Sequence, residues 1–257
     1  MEILAHQGSP WTGPNGGAEI STADELKTVL VMVAHADDAE FGAAGTIARW
    51  ARGEGKDVYY VVATNGNKGS ADPSMTQEQL AAIRREEQLA ACKVLGVKDV
   101  VFLGYPDGEL VPSLQLRRDL TREIRRFKPD IALVPDPTTY YFGNQYVNHP
   151  DHRAIGEAAL GAIFPSARDR LTFAELLVNG FEPHKVKELF LTLSNESDTW
   201  VDITDFMDVK LAALREHKSQ MGDMTEVEKR IKERAEMAAE GHGMRYAEAF
   251  KKMILPA

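Results

Sequence analysis

Apolar residues gather along the chain in short runs of strand length, separated by longer stretches of helical period. Residues 28–34, TVLVMVA, are almost wholly apolar and rich in branched side chains, as a strand covered on both faces must be. Residues 57–63, 99–103 and 130–134 repeat the pattern, each after a segment long enough for a helix. Two of those helices have marked ends. Thr76 and Gln79 make a capping box before a segment that runs to Leu95 and stops at Gly96. Ser113, after Pro112, opens another that ends ahead of Pro129.

The order β-α-β-α-β-α-β implies right-handed crossovers, hence a doubly wound, mostly parallel, Rossmann-like α/β sheet with helices on both faces. Ligands in such sheets sit at the carboxyl ends of the strands. Beyond residue 165 two more strand-like runs are expected, at 188–193 and 200–203, and then helices alone. One is capped by Thr204 or Asp205 and reaches about Gln220. The other, 226–239, carries Glu226/Arg230 and Glu228/Lys232 at i, i+4 on a solvated face. Residues 7–17 are turn-formers, so 1–25 are expected as an N-terminal arm and 26–257 as a single domain, with no internal repeat.

Composition narrows the function. With 257 residues, 44% hydrophobic and 27% charged, the chain is of ordinary globular make-up and can bury a large core without staples. Lys and Arg total 30 against 39 Asp and Glu, and that negative balance disfavours nucleic acid and anionic membrane as partners. The single cysteine, Cys92, sits in an apolar helical run and reads as core packing. No leader pattern opens the chain and no run approaches the length of a membrane span, so the cytoplasm is the expected compartment.

The chemistry gathers at two strand ends. The first strand runs into Ala34-His35-Ala36-Asp37-Asp38-Ala39-Glu40. His35 and Asp38, three apart on a turn, can converge on one cation. The fourth strand and a long loop lead to Asn148-His149-Pro150-Asp151-His152, which can bring further imidazoles to the same edge. Two nitrogens and one oxygen with an open position suit catalytic zinc. Taken singly, Asp37, Asp38 and Asp151 read as helix caps, and a lone histidine as a structural residue; it is their coincidence at the ligand-binding edge that points to a site.

Those motifs resemble the LmbE/PIG-L family of zinc-dependent de-N-acetylases, whose signature is a Pro-His-Pro-Asp-Asp-Glu-like stretch followed by His-Pro-Asp-His. Further likeness lies in Thr64-Asn65-Gly66-Asn67-Lys68-Gly69, Arg84-Arg85-Glu86-Glu87 and Leu103-Gly104-Tyr105-Pro106-Asp107. It continues in the later stretches at 210–214, 217–220 and 246–250. The resemblance implies one Zn2+ per chain held by His35, Asp38 and His152, and Asp37 as general base. It implies His149 as oxyanion stabiliser or proton donor to the amine, and Asp151 as the group that orients a neighbouring imidazole. Arg84, Asp107 and Asn67 match positions of sugar contacts. It further implies an N-acetylated, N-acetylglucosamine-type small-molecule substrate and a homo-oligomer, trimer or hexamer. Ala36 and Ala39 depart from the signature without removing a ligand.

His217, with Ser219 and Gln220, reads as helix surface or as a contact at the site's rim. His6, His184 and His242 have no partner pattern. A serine hydrolase is disfavoured because no Gly-x-Ser-x-Gly is present, and a dinucleotide enzyme because no Gly-x-Gly-x-x-Gly follows the first strand. The alternatives kept open are a non-catalytic sugar- or nucleotide-binding module and a metal-dependent phosphoesterase.

Overall fold

In the computed structural model, which describes residues 26–256, the chain alternates strands and helices as the apolar pattern predicts. The arm expected over residues 1–25 lies outside the described residues. In order, the elements are β1 (Thr28–Val33), α1 (Asp38–Ala48), β2 (Asp57–Thr64), α2 (Gln77–Leu95), β3 (Asp99–Tyr105), α3 (Leu114–Phe127) and β4 (Ile131–Pro135). A small hairpin, β5 (Tyr141–Phe142) and β6 (Tyr146–Val147), precedes α4 (Pro150–Gly161). Then come β7 (Glu188–Thr192), β8 (Thr199–Asp202), α5 (Met207–Leu214), α6 (Met224–Ala239) and β9 (Ala247–Ile254).

The strands lie in the order β3-β2-β1-β4-β7-β9-β8. Pairing is parallel from β3 to β7, and β9 runs antiparallel between β7 and β8. Strand β1 explains its own composition. Val29, Val31 and Val33 pack toward α1, α2 and α5, whereas Leu30, Met32 and Ala34 pack toward α3 and α4. Each such buried aliphatic side chain stabilises by about 1.5–3 kcal/mol. Chain order reverses between β1 and β4, so the crevice at their carboxyl ends is the switch point where such sheets bind ligands. His35 leaves β1 there, and the loop after β4 leads to His149.

The capping box at Thr76 forms with both of its bonds, and Ser113 caps α3 as expected. Cys92 is buried among apolar neighbours, and burial raises its thiol pKa well above the ordinary value. No described helix is long and apolar enough to cross a membrane.

Three expectations need correction. The C-terminal stretch is not helical throughout, because residues 247–254 form β9. Its Ala, Glu, Lys and Met residues are good helix formers, and pairing on both sides with β7 and β8 overrides that preference. The helix expected to reach Gln220 stops at Leu214, and turns follow. Neither predicted i, i+4 pair forms in α6 among the described residues. Glu228 is taken instead by Arg215 on the preceding turn, 2.5 and 2.8 Å away.

Candidate active site

His35, Asp37 and Asp38 reach the switch point from the β1–α1 turn, and His149, Asp151 and His152 reach it from the start of α4. The three imidazoles cluster, with ring centroids 4.7 Å apart for His35 and His149 and 5.4 Å for the other two pairs. Two overlapping groups have donor atoms mutually within 4.8 Å: His35, His149 and His152, and His35, Asp107, His149 and Asp151. Asp38 belongs to neither group but touches two of the imidazoles, one with each oxygen.

Asn148 decides the tautomer of His152. Its Nδ2 donates to the Thr139 carbonyl at 2.8 Å, so its Oδ1 is what faces His152 Nδ1 at 3.0 Å. Nδ1 therefore carries the proton, and Nε2 turns an electron pair to Asp38 Oδ1, 3.0 Å away. His35 is arranged alike. Its Nε2 donates between Asp107 Oδ1 at 3.0 Å and Asp151 Oδ2 at 3.2 Å, leaving Nδ1 toward Asp38 Oδ2 at 3.6 Å. Electron pairs set against carboxylate oxygens are stable only with a proton or a cation between them.

The electrostatics tell the same story. Burial works against a charge on His35, but Asp38, then Asp107 and Asp151, outweigh it and push the imidazole pKa up to about 12. Burial likewise opposes ionisation of Asp38, yet His152 and His35 hold its pKa well below the usual carboxylate value. Four carboxylates, Asp37, Asp38, Asp107 and Asp151, meet one guanidinium, Arg84, around these rings. The donor set fits a divalent cation.

Asp151 is committed to the chain as well. Its oxygens accept the N–H groups of Gly108 at 2.7 Å and Leu110 at 3.1 Å. It ties the loop after β3 to α4 while fixing the ring of His35. His149 Nδ1 accepts the N–H of Asp151 at 3.2 Å, so its proton is on Nε2. Burial and the nearby His35 lower its pKa.

Asp37 differs from its neighbour. It occupies the N-cap of α1 at φ 90°, ψ −22°, and its carboxylate caps nothing. That left-handed conformation is costly outside glycine and tends to persist at functional sites. Burial is the main reason its pKa rises to about 7, against the pull of Arg84. The side chain stays 14% exposed.

Arg84 is 5% exposed and turned inward. Its guanidinium donates to Ala36 O at 2.6 Å, Gly66 O at 3.2 Å and Asp37 Oδ1 at 3.3 Å. Gly66 sits at φ 61°, and a Cβ there would meet the guanidinium at 3.0 Å, so the site needs glycine twice over. Asp107 belongs to the cluster, with its second oxygen on the N–H of Lys68 at 3.1 Å. Asn67 does not join it; its amide donates to Gln77 on α2 at 3.2 Å.

His217 lies neither on a helix surface nor at a rim. It is wholly buried, with Nε2 3.3 Å from Glu40 Oε2. Turns after α5, held by Glu87 accepting from the N–H and hydroxyl of Ser219, bring it there. His184 bonds to Pro129 O and His242 stacks on Trp200; His6 lies outside the described residues. Sequence reasoning missed Asn148 and Gln88. Asn148 directly precedes the second motif, and Gln88 follows Arg84 by one helical turn, so position alone could have flagged both.

Comparison with known proteins agrees with this geometry. The profile of the PIG-L family, described as GlcNAc-PI de-N-acetylase, matches residues 30–163. Diacetylchitobiose deacetylase from Thermococcus kodakarensis is 34% identical over 197 residues, covering 77% of this chain and 71% of the relative. A probable N-acetyl-alpha-D-glucosaminyl L-malate deacetylase 2 from Bacillus subtilis is 31% identical over 212 residues, covering 79% and 88%. Among solved structures, N,N'-diacetylchitobiose deacetylase from Pyrococcus horikoshii, complexed with its inhibitor MPG, superposes with a TM-score of 0.82 at 35% identity. That match covers 90% of this chain and 85% of the other. The chain belongs to the PIG-L family of de-N-acetylases.

Proposed function

We propose that the chain is a metal-dependent amide hydrolase that removes an acetyl or short acyl group from the nitrogen of an N-acetylglucosamine-type sugar or conjugate. The observation that carries this reading is the convergence of His35 Nδ1, His152 Nε2 and Asp38 beside a carboxylate, that of Asp37, with no capping duty. The names of the relatives, which act on diacetylchitobiose and on an N-acetylglucosaminyl malate, support the substrate class.

His35, Asp38 and His152 would hold one Zn2+, with Asp151 orienting His35. Zinc bound there supplies Lewis acidity toward an amide carbonyl. Asp37 takes a proton from the attacking water and returns it to the amine nitrogen as the C–N bond breaks, leaving a carboxylic acid and a free amine. Neutral His149, with its proton on Nε2, donates a hydrogen bond to the oxyanion. Asp107 and Asn67 would receive sugar hydroxyls. Arg84 holds the loops behind them.

The phosphoesterase alternative is less well supported. The second donor group shares His35 with the first, and the oxygens of Asp151 already accept two backbone N–H groups. We also propose that residues 26–257 form one domain, and that the chain works as a homo-oligomer, trimer or hexamer, in the cytoplasm without nucleic-acid or membrane partners. Light scattering tests the assembly. The function is tested by amine release from a panel of N-acetylated sugars and amino acids, with and without a chelator. Chelator-sensitive release from the sugars is expected. Chelator-insensitive activity, or none on any amide with metal replete, sinks the reading.

A further inference from the structure

The conformation of Asp37 needs a cause, and α2 supplies it. One peptide unit joins Ala36 to Asp37, and α2 grips both of its ends. Arg84 Nη2 donates to its carbonyl at 2.6 Å, and Gln88 Oε1 accepts its N–H at 3.1 Å. The two side chains are four apart, hence on one face of the helix. A glutamine amide could present either end to Asp37, and Glu40 selects which. Gln88 Nε2 donates to Glu40 Oε1 at 3.0 Å, which leaves only the oxygen for Asp37. Glu40 is held in turn by the Tyr60 hydroxyl at 3.4 Å and lies 3.3 Å from His217. Gln88, Glu40 and His217 are wholly buried, so no substrate can touch them.

We propose that Gln88, with its amide set by Glu40, is a positioning residue for the reaction. It locks the Ala36–Asp37 peptide in the left-handed conformation that keeps the Asp37 carboxylate off the end of α1 and free to act. The inference rests on Asp37 being the general base. Without the lock, rotation of this peptide lets Asp37 relax into an ordinary cap on α1.

The test is Gln88→Met, close in size but unable to accept the N–H, assayed beside the unaltered enzyme with and without chelator. Turnover is expected to fall about 10- to 100-fold, the scale for loss of a group behind a catalytic residue, with KM and metal content unchanged. In an Asp37→Asn background the same substitution should change turnover no further, because what it positions is gone. The exchange Gln88→Glu with Glu40→Gln keeps an acceptor for Asp37 and a donor between the pair. It should recover most of the turnover that Gln88→Glu alone loses. Unchanged turnover in Gln88→Met, loss of metal, or effects that multiply with Asp37→Asn would each overturn the proposal. If Gln88→Met fails to fold, the exchange decides: no recovery over Gln88→Glu alone overturns it. An inactive unaltered enzyme defeats the proposed function instead, so the two failures are distinct.

Discussion

Two of the buried charge clusters at helix α1 differ in kind. Its first turn presents Asp37 and Asp38 to a cluster in which four carboxylates face one guanidinium and imidazole electron pairs point at oxygens. Further along, Lys210 and Glu248 bury a single pair against it. Lys210 Nζ donates to Phe41 O at 2.9 Å and to Glu248 at 2.6 Å, and Glu248 accepts the N–H of Gly45 at 3.0 Å and of Thr46 at 2.7 Å. In a regular helix, Phe41 O and the N–H of Gly45 are each other's partners; here α5 and β9 reach the same two groups. The second cluster balances its charges and satisfies its atoms within the chain. The first does neither. Buried charge that is complete holds a fold together, and buried charge that is incomplete is built for something from outside.

The sharpest way to break that contrast is to separate the adjacent aspartates. Asp38→Ala and His152→Ala should lose metal and activity together. Asp37→Asn should keep the metal while turnover falls about 10²–10⁴-fold, the scale for a general base. Elemental analysis beside turnover reads both. If Asp37→Asn loses metal as fully as Asp38→Ala, both carboxylates coordinate and the roles drawn here are wrong. Near-normal turnover makes Asp37 a bystander.

The second cluster should fail differently. Glu248→Leu strands a buried ammonium and two N–H groups, and a loss of about 3–5 kcal/mol is expected by urea denaturation. An isolated buried pair can often be replaced by apolar residues at no cost. Here Lys210→Met with Glu248→Leu should not recover wild-type stability, since the hydrogen bonds that tie α5 and β9 to Phe41, Gly45 and Thr46 of α1 are lost with the charges. Full recovery would mean that the pair only neutralises itself.

The same contrast explains what could be read from the sequence. The strands up to β4, the caps of α2 and α3, and the residues His35, Asp38 and His152 were legible because each is announced by local periodicity or by close spacing. β9 was not, since helix-forming residues take strand pairing from partners remote in sequence. Nor was His217, whose burial depends on Glu40, far back along the chain. The hairpin β5–β6 is two residues a side, below any periodic signal. The gathering of His35, Asp38 and His152 was legible and what orients the cluster was not, because Asn148 and Gln88 act through contacts that only tertiary structure creates.

A smaller effect should come from glycines under the two site-bearing helices. At Gly156 of α4 a Cβ would lie 2.3 Å from the carbonyl oxygen of Pro135, so α4 must move, and with it His149, Asp151 and His152. Gly156→Ala should cost about 1–3 kcal/mol and lower turnover. At Gly42 of α1 the nearest atom, on Thr192, is an ordinary 3.8 Å away. Gly42→Ala should raise stability by about 0.5–1 kcal/mol, as alanine does in a helix interior. Thermal unfolding of the two variants checks both signs; a stabilised Gly156→Ala would show that α4 is free to shift at its root.

The smallest effect concerns a charged cluster at the opposite edge of the sheet, where charge is complete but wet. Asp130 accepts the N–H groups of Lys27 and Thr28 at 3.0 and 3.1 Å and pairs with Lys187 at 2.8 Å, with its side chain 17% exposed and that of Lys187 48%. Partial burial opposes ionisation, but Lys187 and the two N–H groups outweigh it and hold the carboxyl pKa below its ordinary value. A carboxyl depressed by folding contributes stability that is fully present above the unfolded value of 3.8 and is lost as pH falls through the folded one. Asp130→Asn should therefore cost less than about 1 kcal/mol near neutral pH, the range of solvent-screened pairs. Its stability curve should converge on that of the unaltered protein as pH falls below about 4. The measurement is urea denaturation of both proteins from pH 7 down to the acid limit of folding. A gap that stays constant to that limit would assign the contribution of Asp130 to shape and not to charge. A gap as large as that of Glu248→Leu would erase the distinction between wet and buried clusters.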